Sequence, residues 1–145
     1  SRQQANPNMD ASGSASGSFV GSAIRPPDFI YLDDADYAVS GKTTKLRLRV
    51  QVAVNPTKAA LKFTFGLYPI TPEGSAKTLD FVAGELVTGS SAVVNEPAAL
   101  GISQTASGDF NVPADGLYAI CVTTSAALTE NSAVVCAAQL QVRHT

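Results

Sequence analysis

The acidic residues that stand closest together in the chain are Asp33, Asp34 and Asp36. Carboxylates at this spacing in a loop are potential oxygen ligands for Ca²⁺. The segment lacks the glycine and the distant glutamate of a helix-loop-helix calcium site, and aspartate also favours turns between strands. We therefore interpret the cluster as a solvated turn and expect no metal site there.

The other residues with chemical potential are one histidine, His144, and two cysteines, Cys121 and Cys136. A catalytic histidine must be held rigidly between a nucleophile and an orienting group, and a position one residue from the last seldom provides this. Zinc needs three or four ligands, and its cysteines usually come at short spacing. We expect no enzymatic activity, no catalytic residue, no cofactor and no small-molecule substrate.

The two cysteines fall opposite each other if residues 117–124 and 133–142 form a hairpin whose loop is centred between Leu128 and Thr129. One interpretation is a cross-strand disulfide that staples this hairpin. The other is a pair of buried thiols, since a cysteine thiol behaves as a small apolar group. Two cysteines in 145 residues do not make a disulfide scaffold, so we favour thiols.

The clearest periodicity lies in residues 45–54, where apolar and polar side chains alternate. One face would carry Leu46, Leu48, Val50, Val52 and Val54, and the other Lys45, Arg47, Arg49 and Gln51. With the nearby Lys42, the cations Lys45, Arg47 and Arg49 form a predicted basic face that could dock on an acidic partner surface. The alternative is the solvated side of one strand, protected from edge pairing by its charge.

The elements that must position these residues are short strands. Alternation also covers residues 61–67, and further strands are predicted at 29–32, 37–40, 78–83, 85–88, 92–95, 107–112, 117–124 and 133–142. Turn residues occur at 71–74, 89–91 and 113–116, and residues 96–100 are compatible with one helical turn. About eight antiparallel strands without a long helix predict an all-β sandwich. A jelly roll fits the strand count best, followed by an immunoglobulin-like sandwich.

Residues 1–28 differ from this domain, which we place at 29–145. Positions 11–18 contain only alanine, serine and glycine, and such a segment buries too little surface to offset an ordering entropy of about 1–2 kcal/mol per residue. We therefore predict an extended low-complexity arm at 1–28 that is ordered against a partner. The candidate contact residues of the arm are Arg2, Met9, Phe19, Val20 and Arg25.

Charge and hydropathy exclude several other partners. The net charge is −2 and charged residues make up 15% of the chain, so no basic field is available for nucleic acid or an anionic membrane. No apolar run approaches the roughly 18 residues of a membrane-spanning helix. The first residues also lack the apolar core of a secretory signal.

The C-terminal third has a distinctive layout. A strand ending in Val112 and Pro113, a turn at Asp115 and Gly116, and a strand led by Tyr118 resemble the repeated pattern of C1q- and TNF-like jelly rolls. With residues 65–69, this pattern is similar to the small capsid decoration (cementing) proteins of tailed bacteriophages, especially those of actinobacterial hosts. The resemblance covers roughly residues 60–145. Phe65, Phe110 and Tyr118 are its expected core residues.

The resemblance implies a homotrimer of jelly rolls that binds the major capsid protein on the outer surface of an icosahedral shell and stabilises contacts between capsomers. The protein would then belong to the virion and be assembled in the host bacterial cytoplasm. One alternative is a C1q/TNF-like, carbohydrate-binding or receptor-binding sandwich module of a fibre or surface protein. A related one is a shell-forming coat protein, although genome-binding arms of coat proteins are usually more basic.

Overall fold

The structure, a computed structural model, describes residues 2–5, 29–55, 61–125 and 133–145. Within these ranges the chain forms ten strands and one short helix. In chain order they are β1 (Arg2–Ala5), β2 (Phe29–Leu32), α1 (Asp34–Tyr37), β3 (Thr44–Asn55), β4 (Lys62–Ser75), β5 (Thr78–Ala83), β6 (Ala92–Asn95), β7 (Gly101–Ala106), β8 (Phe110–Asn111), β9 (Gly116–Thr124) and β10 (Ala133–His144).

The strands form two antiparallel sheets. Sheet A has the order β1-β10-β3-β7, and β8 also pairs with β3. Sheet B has the order β2-β9-β4-β5, and β6 also pairs with β4. The two sheets share one apolar core. The prediction of an all-β sandwich is therefore confirmed.

Alternation explains how the core is filled. Leu46, Leu48, Val50 and Val52 of β3 point inwards, as predicted, while the side chain of Val54 lies outside the described part of the chain. Sheet B contributes the inward-facing side chains of Phe63, Phe65, Leu67, Ile120 and Val122. Phe65, Phe110 and Tyr118 are buried as expected. Each fully buried large side chain stabilises the fold by about 1.5–3 kcal/mol.

The predicted hairpin between the last two strands is wrong. β9 pairs with β2 and β4 in sheet B, whereas β10 pairs with β1 and β3 in sheet A. The two cysteines consequently have different register partners, which are Gly66 for Cys121 and Val52 for Cys136. Both cysteines are buried, and they are not joined to each other. The alternation of apolar and polar residues along a strand indicates which of its faces is buried. It does not indicate which sheet the strand joins.

Three local predictions also fail. Residues 85–88 lie in a bend and a turn and form no strand. Residues 37–40 do not form a strand, because α1 occupies 34–37 and the Asp33 carboxylate caps it by accepting the Ala35 N–H at 3.0 Å. The turn predicted at 71–74 is instead the end of β4, and the chain reverses at 76–77. Gly74 lies in this hairpin with φ near 148°, where a Cβ would stand 2.1 Å from the Thr78 carbonyl oxygen.

Two buried serines each bond to the neighbouring strand of their own sheet, at points where an edge strand is interrupted. Ser107 follows β7, and its hydroxyl accepts the Leu48 N–H of β3 at 2.9 Å. Ser90 lies between β5 and β6, where its hydroxyl accepts the Leu67 N–H of β4 at 3.1 Å and donates to the Val87 carbonyl at 2.7 Å. A side-chain oxygen thus takes the place of a missing backbone carbonyl.

We expect Ser90→Ala and Ser107→Ala each to lower the free energy of unfolding by about 1–3 kcal/mol, because each leaves a buried N–H without an acceptor. Urea denaturation of the purified chain measures the change. Ser91→Ala is the control, since Ser91 is exposed beside Ser90. Equal stability of Ser90→Ala and Ser91→Ala would show that the hydroxyl does not stabilise the strand.

Candidate partner-binding face

Three cations stand in a row on the outer face of sheet A. Lys45, Arg47 and Arg49 alternate with the buried leucines and valines of β3, so their side chains point away from the core. Alternate residues of a strand lie about 6.8 Å apart. The row, which we call the cation row, therefore extends over roughly 14 Å. β10 lies on one side of it, and β7 and β8 lie on the other.

Neutral amides hold two members of the cation row. The Arg47 guanidinium donates two hydrogen bonds to Gln141 Oε1, from Nε at 3.0 Å and from Nη2 at 2.7 Å. Gln141 in turn donates from Nε2 to Gln139 Oε1 at 2.9 Å. Lys45 Nζ donates to Asn111 Oδ1 at 2.5 Å. These bonds orient the cations without cancelling their charge, because an amide has none.

A fourth cation on this side is neutralised. Arg143 of β10 forms an ion pair with Asp109, which precedes β8, and this is the one salt bridge among the described residues. The Arg143 side chain is 65% exposed and that of Asp109 28%, so the pair adds at most about 1 kcal/mol of stability. Among the described side chains, the uncompensated positive charge of this face is therefore that of the cation row.

Of the other predicted contact residues, the structure describes the positions of Lys42 and Arg2. Lys42 is exposed in the turn before β3, where its N–H donates to the Val39 carbonyl at 3.0 Å. Arg2 is the β1 register partner of Gln141, so β1 borders the same sheet. Met9, Phe19, Val20 and Arg25 lie outside the described residues.

The residues first considered for chemistry have structural contacts. His144 Nε2 lies 2.7 Å from the Tyr37 carbonyl oxygen, which also accepts the Thr44 hydroxyl at 3.2 Å. Since a carbonyl only accepts, the proton of this contact belongs to Nε2. The Asp34 N–H donates to Asp115 Oδ1 at 2.8 Å. No group of three or more His, Cys, Asp or Glu that could hold a metal ion occurs in the described part of the chain.

Sequence reasoning missed a second apolar cluster on the outer face of sheet B. Ile70, Ala119 and Cys121 are buried there, and the rings of Phe29 and Phe81 meet edge to face with centroids 4.8 Å apart. The signal was present in residues 117–122, which are apolar without alternation and so indicate a strand covered on both faces.

Burial raises the pKa of the Cys136 thiol from its ordinary value of 9.0 to about 12. We expect the free energy of unfolding to fall as the pH rises from about 9 towards 12, because the unfolded chain loses this proton while the folded chain keeps it. The contribution is about 1.4 kcal/mol per pH unit within that window. Below pH 9 the thiol is protonated in both states, and this pH dependence vanishes.

Urea denaturation at a series of alkaline pH values tests this expectation. Burial also raises the pKa values of Tyr37, Tyr68 and Tyr118, which steepens the same trend. The comparison with Cys136→Ala isolates the thiol, because the variant should lose stability less steeply above pH 9. Parallel slopes for the two proteins would mean that Cys136 ionises equally well in the folded chain.

Comparison with protein-family models, with curated proteins and with solved structures yields no match. Among the described residues, no helix has the length and apolar character needed to cross a membrane.

Proposed function

We propose that this chain is a structural virion protein, a capsid decoration protein that binds the acidic outer surface of an icosahedral shell through its cation row and stabilises contacts between capsomers. The observation that carries the proposal is the pairing of Arg47 and Lys45 with neutral amides. Exposed cations that serve only solubility need no fixed orientation, whereas preorganised cations lose less side-chain entropy when they bind carboxylates.

The strand order supports a jelly roll as the scaffold. Early strands pair with late strands in a nested series, which is β1 with β10, β2 with β9, β3 with β7 and β4 with β6. Such nesting is expected when one long antiparallel hairpin of the chain is wound into two four-stranded sheets. Capsid proteins are among the established users of that architecture.

The positive charge of the cation row indicates that its partner surface is acidic. Three cations at a spacing of about 6.8 Å fit a row of carboxylates on another extended or flat protein surface. Complementary charge of this kind governs partner choice and association rate more than final affinity. The homotrimer, the major capsid protein as partner and the virion location remain predictions from the sequence resemblance.

The test adds the purified chain to undecorated shells of tailed bacteriophages and measures co-sedimentation and the temperature at which the shells rupture. We expect saturable binding at low salt, higher rupture temperature, and loss of binding at about 1 M salt, where the screening length falls to about 3 Å. Absence of binding, or binding that leaves the rupture temperature unchanged, would overturn the proposal.

The nested strand order also favours one second candidate, a subunit that forms the shell itself. This candidate predicts closed particles from the purified chain alone, which light scattering and negative-stain microscopy detect. A small oligomer that remains soluble until shells are added supports the decoration protein instead.

A further inference from the structure

The N-terminal strand is tied to the domain by backbone pairing and separated from it by a long connection. β1 pairs antiparallel with one edge of β10, from Arg2 with Gln141 to Ala5 with Ala138. The next described element, β2, begins at Phe29, so 23 residues (6–28) separate the two strands. β1 itself is four residues long.

The connection is far longer than its two ends require. β1 and β2 contact each other although they belong to different sheets. Connections between neighbouring elements usually take about 4–6 residues. A chain of 23 residues reaches up to about 80 Å when fully extended, whereas a domain of this size is roughly 35 Å across, from its expected radius of gyration. The connection can therefore reach the β10 edge of an adjacent molecule.

We infer that β1 is an exchangeable strand and that the edge of β10 at Ala138–Gln141 accepts β1 from a second copy of this chain. Both arrangements make the same four register pairs, so exchange sacrifices no backbone pairing. The concentration of the second copy then sets the balance between β1 pairing within one molecule and β1 pairing between two molecules. A tethered strand meets its own β10 at an effective concentration of about millimolar, and a second copy competes when it is held equally close.

The chemistry of β1 fits a strand that detaches without unfolding the domain. Its sequence, Arg-Gln-Gln-Ala, contains no large apolar residue that would anchor it in the core. By contrast, β10 pairs over all of its twelve residues with β3. Release of β1 therefore leaves the neighbouring strand pair intact, and local opening of this kind needs less free energy than global unfolding.

Disulfide trapping tests the exchange. Gln4 and Gln139 are register partners, and antiparallel partners have Cα atoms about 4.5–5.5 Å apart, within the range of a disulfide. Two singly substituted chains of different length, Gln4→Cys and Gln139→Cys, are mixed and oxidised at concentrations from micromolar to millimolar. A cross-link between the two chains forms only if β1 of one copy lies on β10 of the other, and mass spectrometry identifies the linked peptides.

Two further variants complete the design. The doubly substituted chain Gln4→Cys/Gln139→Cys reports pairing within one molecule, and Gln4→Cys mixed with Gln104→Cys reports random oxidation, since Gln104 lies on β7 opposite Gln51. We expect inter-chain cross-links that increase with concentration for the first mixture and not for the second. A doubly substituted chain that closes only within single molecules, with no inter-chain product at any concentration, would overturn the inference. So would equal cross-linking in the two mixtures.

Discussion

Replacing Phe63 by alanine is expected to lower the free energy of unfolding by about 3–5 kcal/mol. Phe63 is fully buried between the sheets beside Phe65 and Leu67, and its truncation removes the apolar contacts and leaves a cavity. Domains of this size have a total stability of about 5–15 kcal/mol. The variant should therefore lie near the limit of folding, with a markedly lower urea midpoint.

The matched control is Tyr31→Ala, which truncates an aromatic side chain that is 62% exposed on β2. It should lower the free energy of unfolding by less than about 1 kcal/mol, as substitutions away from the core usually do. Equal destabilisation by the two substitutions would contradict the assignment of the core to the space between the sheets.

Reversing two charges of the cation row is expected to weaken binding to shells strongly. Arg47→Glu/Arg49→Glu places carboxylates where the proposed shell surface is acidic, and like charges in an interface cost several kcal/mol. Since 1.4 kcal/mol corresponds to a factor of ten, we expect the dissociation constant for shells to rise by about 100-fold or more. Titration of shells with fluorescently labelled protein measures it.

The matched control for this variant is Lys62→Glu/Lys77→Glu, which makes the same change in net charge at two exposed positions on β4 and in the β4–β5 turn. Its affinity should remain within a few-fold of the unchanged chain. Both variants should retain the stability of the parent, because exposed charges contribute little to it. Equal weakening by the two variants would mean that overall charge, and not the cation row, drives binding.

The fold was predictable where one face of a strand is buried and the other is solvated. β3 is such a strand, and its alternation correctly placed Leu46 and Leu48 inside and Arg47 outside. β7 was missed because its residues Gly101–Ala106 carry a single large apolar side chain, Ile102, which is exposed. The formation of such an edge strand depends on its pairing with the neighbouring strand and not on an apolar–polar pattern of its own.

The candidate site was predictable only in part. The cations of β3 follow from its alternation, but their partners Gln141 and Asn111 stand 94 and 66 residues away along the chain. Their positions depend on the register of β10 and β8 against β3, which the pairing of whole sheets determines. The same dependence on sheet pairing explains why the hairpin predicted for β9 and β10 was wrong.

The outer face of sheet A is the surface that we propose meets the shell. A cryo-electron microscopy reconstruction of undecorated shells after addition of this chain tests this proposal most directly. We expect the outer face of sheet A to point towards the shell, with Lys45, Arg47 and Arg49 within hydrogen-bonding distance of shell carboxylates. Density that places this face towards solvent, with another surface on the shell, would contradict the proposal.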